Sequence, residues 1–265
     1  LLDFEAIRLF VRQAQAVRPD FELTTTNAAA VVEIARRLDG LPLALEIAAA
    51  RVRMLPPEAL LKRLDSSLSV LVGGAVDLPS RQQTMRAAID WSYDLLEPEQ
   101  QTLFARLGVF VGGFTLESAE GVVNAPTLAT GPGQLDVLGG IETLLNNSLV
   151  RQVTGPGVEP RFDMLQTIRD YALEKLAESG ELPAARQAHM MYFANETMDV
   201  TKKVFSRAAV MWLPVYEAEQ DNIRAALDLV MSMPELAPLS AGMCSNLVAY
   251  WYRSGNFDEG REWSE

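Results

Sequence analysis

Residues 148–163 read SLVRQVTGPGVEPRFD, and this stretch indicates the fold class. Two short extended runs, 148–153 and 160–163, flank a turn rich in glycine and proline, which is typical of a β-hairpin. The chain before the hairpin has helical periodicity. Helices followed by a two-stranded wing are the layout of a winged helix, a variant of the helix-turn-helix motif.

Eight helices are predicted upstream of the wing. Asp3 is the expected cap of the first, Gly40 stops the second, and Pro42 stands in the first turn of the third, where its missing N–H costs nothing. Glycines and a proline in 72–80 break the periodicity and mark a domain boundary. The helices lie near 4–18, 26–40, 41–51, a short one from 56, 81–94, 98–107, one from 115, and 135–146.

Residues 164–265 are helical almost throughout, with breaks near 180–183, 233–238 and 254–256. Helix pairs of this length resemble a tetratricopeptide-like array, in which Gly255 makes a tight turn and Trp251 and Tyr252 pack between helices. The alternative is an ordinary helical domain with both aromatics in its core. The predicted fold is therefore mostly α, with a helical subdomain at 1–75, a winged-helix subdomain with a small β-hairpin at 80–177, and helical repeats from 181 to 265.

Composition excludes several functional classes. The 265 residues carry 35 acidic and 23 basic side chains, a net charge of -12 that disfavours binding to nucleic acid or anionic membranes. The single cysteine, Cys244, cannot form an internal disulfide, which favours a cytoplasmic protein. With one histidine, His189, no Cys/His metal site is expected, and the surrounding pattern predicts a partly exposed helix residue. The chain starts at Leu1 without a signal peptide, so we expect a longer parent protein.

Three segments, in this order, resemble the NB-ARC branch of the STAND signal-transduction nucleotidases. Residues 40–45, GLPLAL, are similar to the motif of the first helical subdomain after the nucleotide-binding sheet. Residues 92–96, SYDLL, resemble the start of the winged-helix subdomain, together with Phe104 and residues 113–114. Residues 162–172, FDMLQTIRDYA, fall on the MHD region after the wing. The resemblance covers about residues 1–176.

The resemblance implies that the full-length parent binds ATP or ADP and that Pro42 and Leu41 contribute to the nucleotide site. A proline ring is a rigid apolar plate that lies against adenine without losing conformational entropy. The alternative is that Gly40 and Pro42 merely end one helix and begin the next. Leu165 takes the position of the histidine that in many relatives reaches the terminal phosphate, although leucine offers no hydrogen bond there. Arg169, the next cation, is expected in a surface or domain-interface ion pair.

The phosphate-binding parts of such a nucleotidase are absent from this sequence. No G-x-x-x-x-G-K-[ST] loop occurs, and no strand ending in a carboxylate precedes the first helix. We therefore expect no catalytic residue, no metal and no cofactor in this chain alone. An upstream P-loop domain of the same protein is the expected partner.

The predicted function is that of a regulatory part of a STAND-type ATP/ADP switch in a bacterial transcriptional regulator, with a protein or small-molecule signal received by the helical repeats. The alternatives are a winged-helix DNA-binding protein and a helical interaction scaffold without nucleotide dependence. Residues 81–180 carry seven basic and thirteen acidic side chains, a net charge of -6. The helix at 135–146 contains Asp136 and Glu142 but no basic residue, so direct DNA binding is not expected. A membrane partner is not expected either.

Overall fold

A computed structural model of the chain describes residues 4–38, 40–71, 80–128, 134–157, 159–207 and 209–263. Within these ranges lie fourteen α-helices and three short β-strands, which confirms the mostly α prediction. The helices are α1 (Glu5–Val17), α2 (Ala28–Arg37), α3 (Pro42–Ala50), α4 (Pro57–Leu71), α5 (Ser80–Asp94), α6 (Pro98–Leu107), α7 (Leu116–Val123), α8 (Val137–Asn146), α9 (Gln166–Glu178), α10 (Leu182–Thr197), α11 (Val200–Val204), α12 (Ala209–Met231), α13 (Ala237–Ser254) and α14 (Phe257–Glu262). The strands are β1 (Phe114–Thr115), β2 (Arg151–Val153) and β3 (Arg161–Asp163).

The contacts of the chain divide it into two compact units. The first comprises the described residues of 1–101 and 139–150, and the second those of 102–138 and 151–265. The three-part division expected from the sequence stays a prediction, since residues 72–79 of its first boundary lie outside the described residues. The expected cap at Asp3 also lies outside them.

The first unit is built from amphipathic helices. In α1 the buried residues Ile7, Phe10, Val11 and Ala14 recur every three or four positions, so one face of the helix meets the core. Helix α1 packs on α3, α2 on α4, and α3 on α5. Trp91 of α5 joins this core. The fourth helix, predicted to be short, runs as far as Leu71.

The wing contains one strand more than the sequence predicted. The hairpin of β2 and β3 is confirmed, but β3 lies in the centre and pairs antiparallel with β1 on its other side. Phe162 lies opposite both Phe114 and Gln152. A strand of two residues is too short to show an alternating pattern, so β1 gave no signal in the sequence.

In the second unit α10 packs on α7 and α12, and α13 packs on both α11 and α12. The predicted breaks are confirmed, and two further ones separate α10 from α11 and α11 from α12. Gly255 ends α13 with a φ of 79°, as the predicted tight turn requires. Trp251 is buried, whereas Tyr252 is exposed and lies edge-on to Phe257 of α14, so the alternative that placed both aromatics in the core was wrong for Tyr252. None of the helices described is both long and apolar enough to cross a membrane.

Candidate functional site

The start of α3 is shaped by a glycine, a leucine and a proline. Gly40 adopts a φ of 63°, and its N–H donates to the Ala35 carbonyl at 2.9 Å, which closes the end of α2. Leu41 is extended and packs against the core, and Pro42 is the first residue of α3. The Pro42 ring is exposed. The helix is therefore anchored from inside while it presents a rigid apolar ring outside.

A buried arginine, Arg51, follows α3 directly. Its Nη2 donates to the Ser92 carbonyl at 3.2 Å and to Ser92 Oγ at 2.6 Å, and its Nη1 donates to Asn147 Oδ1. Burial lowers the pKa of Arg51 to about 10, and its Nε has no hydrogen-bond partner among the described residues. The guanidinium also lies over the Trp91 ring at 5.4 Å. Arg51 thus connects the end of α3 to α5 and to the residue after α8.

Sequence reasoning did not identify Arg51 as a site residue. The available signal is the run of apolar residues in α3, which predicts a helix buried on most of its surface. An arginine directly after such a helix must find polar partners inside the protein, because an unpaired buried charge is costly.

The sequence-predicted sensor position, Leu165, lies in the second unit, whereas Leu41 and Pro42 lie in the first. Leu165 is extended and half-buried and immediately precedes α9. Its carbonyl accepts from the N–H groups of Ile168 and Arg169, both at 2.9 Å, so its main chain starts the helix. Its side chain makes no capping hydrogen bond.

A cleft of about 190 Å³ lies beside this segment. One wall consists of residues 110–114, and the other includes Asp163, Met164, Gln166 and Arg169. Ligand pockets commonly measure roughly 300–1,000 Å³, so this cleft is too small to hold a nucleotide alone. It offers a carboxylate, an amide and a guanidinium around a narrow space.

The contact of Arg169 differs from the ion pair that the sequence predicted. Its Nε donates to the Phe110 carbonyl at 2.6 Å across the cleft. Burial lowers the pKa of Arg169, while the charge of Asp170 opposes that shift. A main-chain carbonyl takes the place of the expected carboxylate because α9 directs the arginine at Phe110, in the loop between α6 and β1. Arg169 therefore bridges the two walls.

The wall at Val111–Gly113 is held by side chains from distant elements. Asn222 of α12, which is fully buried, accepts from the Val111 N–H at 2.7 Å and donates to the Gly113 carbonyl at 2.9 Å. Arg161 donates through Nη2 to the carbonyls of Gly112 at 3.0 Å and Gly113 at 3.2 Å. Asn222 was not recognised from the sequence, since no local pattern distinguishes it from the other polar residues of α12.

His189 is buried, which corrects the prediction of a partly exposed residue. It is 4% exposed, its Nε2 lies 3.1 Å from Asn222 Oδ1, and its ring packs against Phe110 and Phe193. Burial is the main cause that lowers its pKa to about 4, and the charge of Arg169 acts in the same direction. The spacing from Ala185 to His189 and Phe193 puts all three on one face of α10, which was the missed signal. The imidazole is neutral at neutral pH, and its Nε2 is the donor toward Asn222.

Both arginines of the wing are engaged in ion pairs. Arg161 donates to both carboxylate oxygens of Glu219 on α12 and is 7% exposed. Arg151 pairs with Asp163 of the neighbouring strand at 2.7 Å. The two cations of the strands are therefore directed at carboxylates of this chain.

The described residues hold no group of three or more His, Cys, Asp or Glu side chains placed to bind a metal ion. Cys244 is buried, its Sγ lies 3.3 Å from the Trp263 carbonyl, and burial raises the pKa of its thiol. A raised pKa keeps the thiol protonated, which does not favour a nucleophilic role.

Comparison with known proteins gives two kinds of relative. No protein-family model matches the chain. The chain is 38% identical over 265 residues to a Mycobacterium tuberculosis protein named "Putative HTH-type transcriptional regulator", with 98% of this chain and 28% of that protein covered; a Mycobacterium bovis protein of the same name gives the same figures. It is 39% identical over 180 residues to an uncharacterized protein of Mycobacterium tuberculosis, with 68% of this chain and 45% of that protein covered. The chain thus spans less than half the length of these relatives.

Proposed function

We propose that this chain is the regulatory part of a nucleotide-dependent switch in a transcriptional regulator. Two independent lines support the proposal. The similarity to proteins named as HTH-type transcriptional regulators extends over 98% of the chain. The three segments that resemble STAND nucleotidases lie at the start of α3, at the end of α5, and beside the cleft between residues 110–114 and 163–169, which we call the sensor cleft.

The observation that carries the nucleotide part of the proposal is the geometry of Pro42. The ring is exposed at the first position of α3, while Ala44 and Leu45 behind it are fully buried. A ring held in this way is preorganised for a flat apolar ligand such as adenine, since little freedom remains to be lost on binding. Leu41, the residue before it, packs against the core.

The sensor segment, residues 163–169, would act differently from that of STAND nucleotidases that have a histidine at the position of Leu165. Leu165 has no polar atom in its side chain, so it cannot donate to a phosphate. In this proposal Leu165 only shapes the surface, and the polar groups beside it are those of Gln166 and Arg169. The phosphate loop and the hydrolytic chemistry would belong to a P-loop domain elsewhere in the full-length protein, and a signal would enter through α10 to α14.

The test is isothermal titration calorimetry of the full-length protein with ADP and, separately, with ATP. The proposal predicts saturable binding of at least one of them. A folded full-length protein that binds neither nucleotide would overturn the nucleotide part. The remaining function would then be a helical scaffold that binds protein or peptide partners.

The name of the relatives gives a second candidate function, DNA binding by the winged helix itself. The charges argue against it: Arg151 and Arg161 are paired with carboxylates, and α8 carries Glu142 and no basic residue. In a mobility-shift titration with duplex DNA at low salt, we expect no complex from this chain. A complex that weakens as salt is raised would favour the DNA-binding function instead.

A further inference from the structure

The loop at Val111–Gly113 is held mainly by groups from other parts of the second unit. Gly112 and Gly113 adopt φ values of 77° and 93°, which side-chain-bearing residues rarely adopt. A Cβ on Gly113 would lie 2.5 Å from the Phe162 carbonyl oxygen. The loop is thus a close-fitting connection between α6 and β1, and its shape depends on groups outside it.

Two side chains outside the loop satisfy its polar main-chain groups. Asn222 binds the Val111 N–H and the Gly113 carbonyl, and Arg161 binds the carbonyls of Gly112 and Gly113. Glu219 joins the two, because it accepts from both Arg161 and Asn222. Arg161 also donates to the Ala218 carbonyl at 2.7 Å, so it is bound to the main chain of α12 as well.

The loop is connected in turn to the sensor side of the cleft. It lines one wall, and β1, which follows it directly, pairs with β3. Strand β3 ends at Asp163, the first residue of the opposite wall. A shift of α12 would therefore move the loop and, through β1 and β3, the segment at 163–169.

We propose that Glu219 and Asn222 of α12, together with Arg161, form a relay through which the C-terminal helices set the shape of the sensor cleft. His189 joins α10 to the relay through its contact with Asn222. In the proposed function, the relay would let a signal at α10 to α14 control the nucleotide switch. This part of the inference rests on the proposed function. The mechanical coupling itself does not.

The test is hydrogen–deuterium exchange on the 265-residue chain and its Asn222→Leu variant. The substitution roughly keeps the volume but removes the acceptor of the Val111 N–H and the donor to Gly113. We expect exchange at Val111 to rise about tenfold or more, and exchange at 163–169, where none of the hydrogen bonds described for Asn222 lies, to rise several-fold. Asn246→Leu on α13, half-exposed and outside the relay, is the matched control and leaves both segments at wild-type rates.

A folded Asn222→Leu variant with wild-type exchange at 163–169 would overturn the relay. If that variant does not fold, Glu219→Gln gives the answer, because it keeps the size of the side chain but removes its charge and one of the two oxygens that accept from Arg161 and Asn222. The relay then predicts faster exchange in the same two segments, and unchanged rates at 163–169 contradict it. In the full-length protein the relay also predicts that Asn222→Leu changes the ratio of ADP to ATP affinity; failure of both nucleotides to bind would count against the proposed function and not against the relay.

Discussion

Arg161 of β3 donates to both carboxylate oxygens of Glu219 on α12, 58 residues further along the chain. Its side chain is 7% exposed and that of Glu219 is 15% exposed. One of the two arginines of the wing is therefore buried as a connection between β3 and α12. The other ion pair of the strands, Arg151 and Asp163, is more exposed, and the first prediction compares the two pairs.

A double-mutant cycle with Arg161→Met and Glu219→Gln should give a coupling energy of about 1.5 kcal/mol or more, because either single change leaves a buried group without its partner. The exposed pair Arg151 and Asp163 is the internal control, and its cycle should give about 0–1 kcal/mol. Both are measured as free energies of urea unfolding of the second unit. Equal couplings for the two pairs would contradict the buried connection.

Gly113→Ala should destabilise the second unit more than Gly180→Ala does. Both glycines have positive φ, at 93° and 77°, and both substitutions restrict the unfolded chain equally. Only at Gly113 would the new Cβ meet a backbone oxygen at 2.5 Å, whereas the position at Gly180 is open within 4 Å. We expect a difference of about 1–3 kcal/mol in the free energy of unfolding. If the two variants lose the same stability, Gly113 does not lie as close to the Phe162 carbonyl of β3 as described.

Stability of the second unit should fall between pH 7 and pH 5 because of His189. The folded pKa is lowered to about 4, so the unfolded chain binds more protons than the folded chain between pH 4 and the ordinary histidine pKa of 6.5. Stability therefore rises with pH across this window and is lost as the solution is acidified.

The histidine part of this loss is about 2 kcal/mol between pH 7 and pH 5 by linkage. His189→Gln keeps a donor for Asn222 but does not titrate, so its loss over the same range should be smaller by that amount. Chemical unfolding at both pH values measures the difference. Parallel pH profiles for the wild type and the variant would show that His189 is not buried as described.

Ser92→Ala should destabilise the first unit by about 1.5–3 kcal/mol, the range for hydrogen bonds to charged groups. The hydroxyl accepts from the buried Arg51 at 2.6 Å, and the alanine leaves that donor with the Ser92 carbonyl alone on this side. Ser245→Ala, at an exposed position of α13, should change stability by no more than about 0.5 kcal/mol. Thermal unfolding of both variants, compared with the wild type, measures the two effects.

The parts of the fold that were predicted correctly depend on short-range chemistry. Gly40 in the left-handed conformation, Pro42 at a helix start and the Gly-Pro turn between β2 and β3 act within a few residues of themselves. The amphipathic spacing of α1 is also local. These features are visible in a single sequence because their causes lie in adjacent residues.

The missed features depend on pairs that are far apart in sequence. Arg51 meets Asn147 across 96 residues, and Asn222 meets Val111 across 111 residues. An arginine of a short strand that will be buried looks the same in the sequence as one that stays in solvent, so Arg161 could not be recognised. Arg51 and His189 were the exceptions, since the apolar run of α3 and the buried face of α10 could have been found from the helical pattern. The nucleotide roles of Leu41, Pro42 and Leu165 stay predictions.

The proposed nucleotide switch is tested by the ADP affinity of the full-length protein after Pro42→Ala, measured by titration calorimetry. Pro98→Ala is the matched control, because Pro98 is also an exposed proline at the first position of a helix, α6. We expect Pro42→Ala to weaken ADP binding and Pro98→Ala to keep the wild-type affinity. Each contribution of about 1.4 kcal/mol from the proline ring to the free energy of binding corresponds to a tenfold loss of affinity. ADP affinity unchanged by Pro42→Ala, or a folded wild type that binds neither ADP nor ATP, would contradict the proposed role of Pro42.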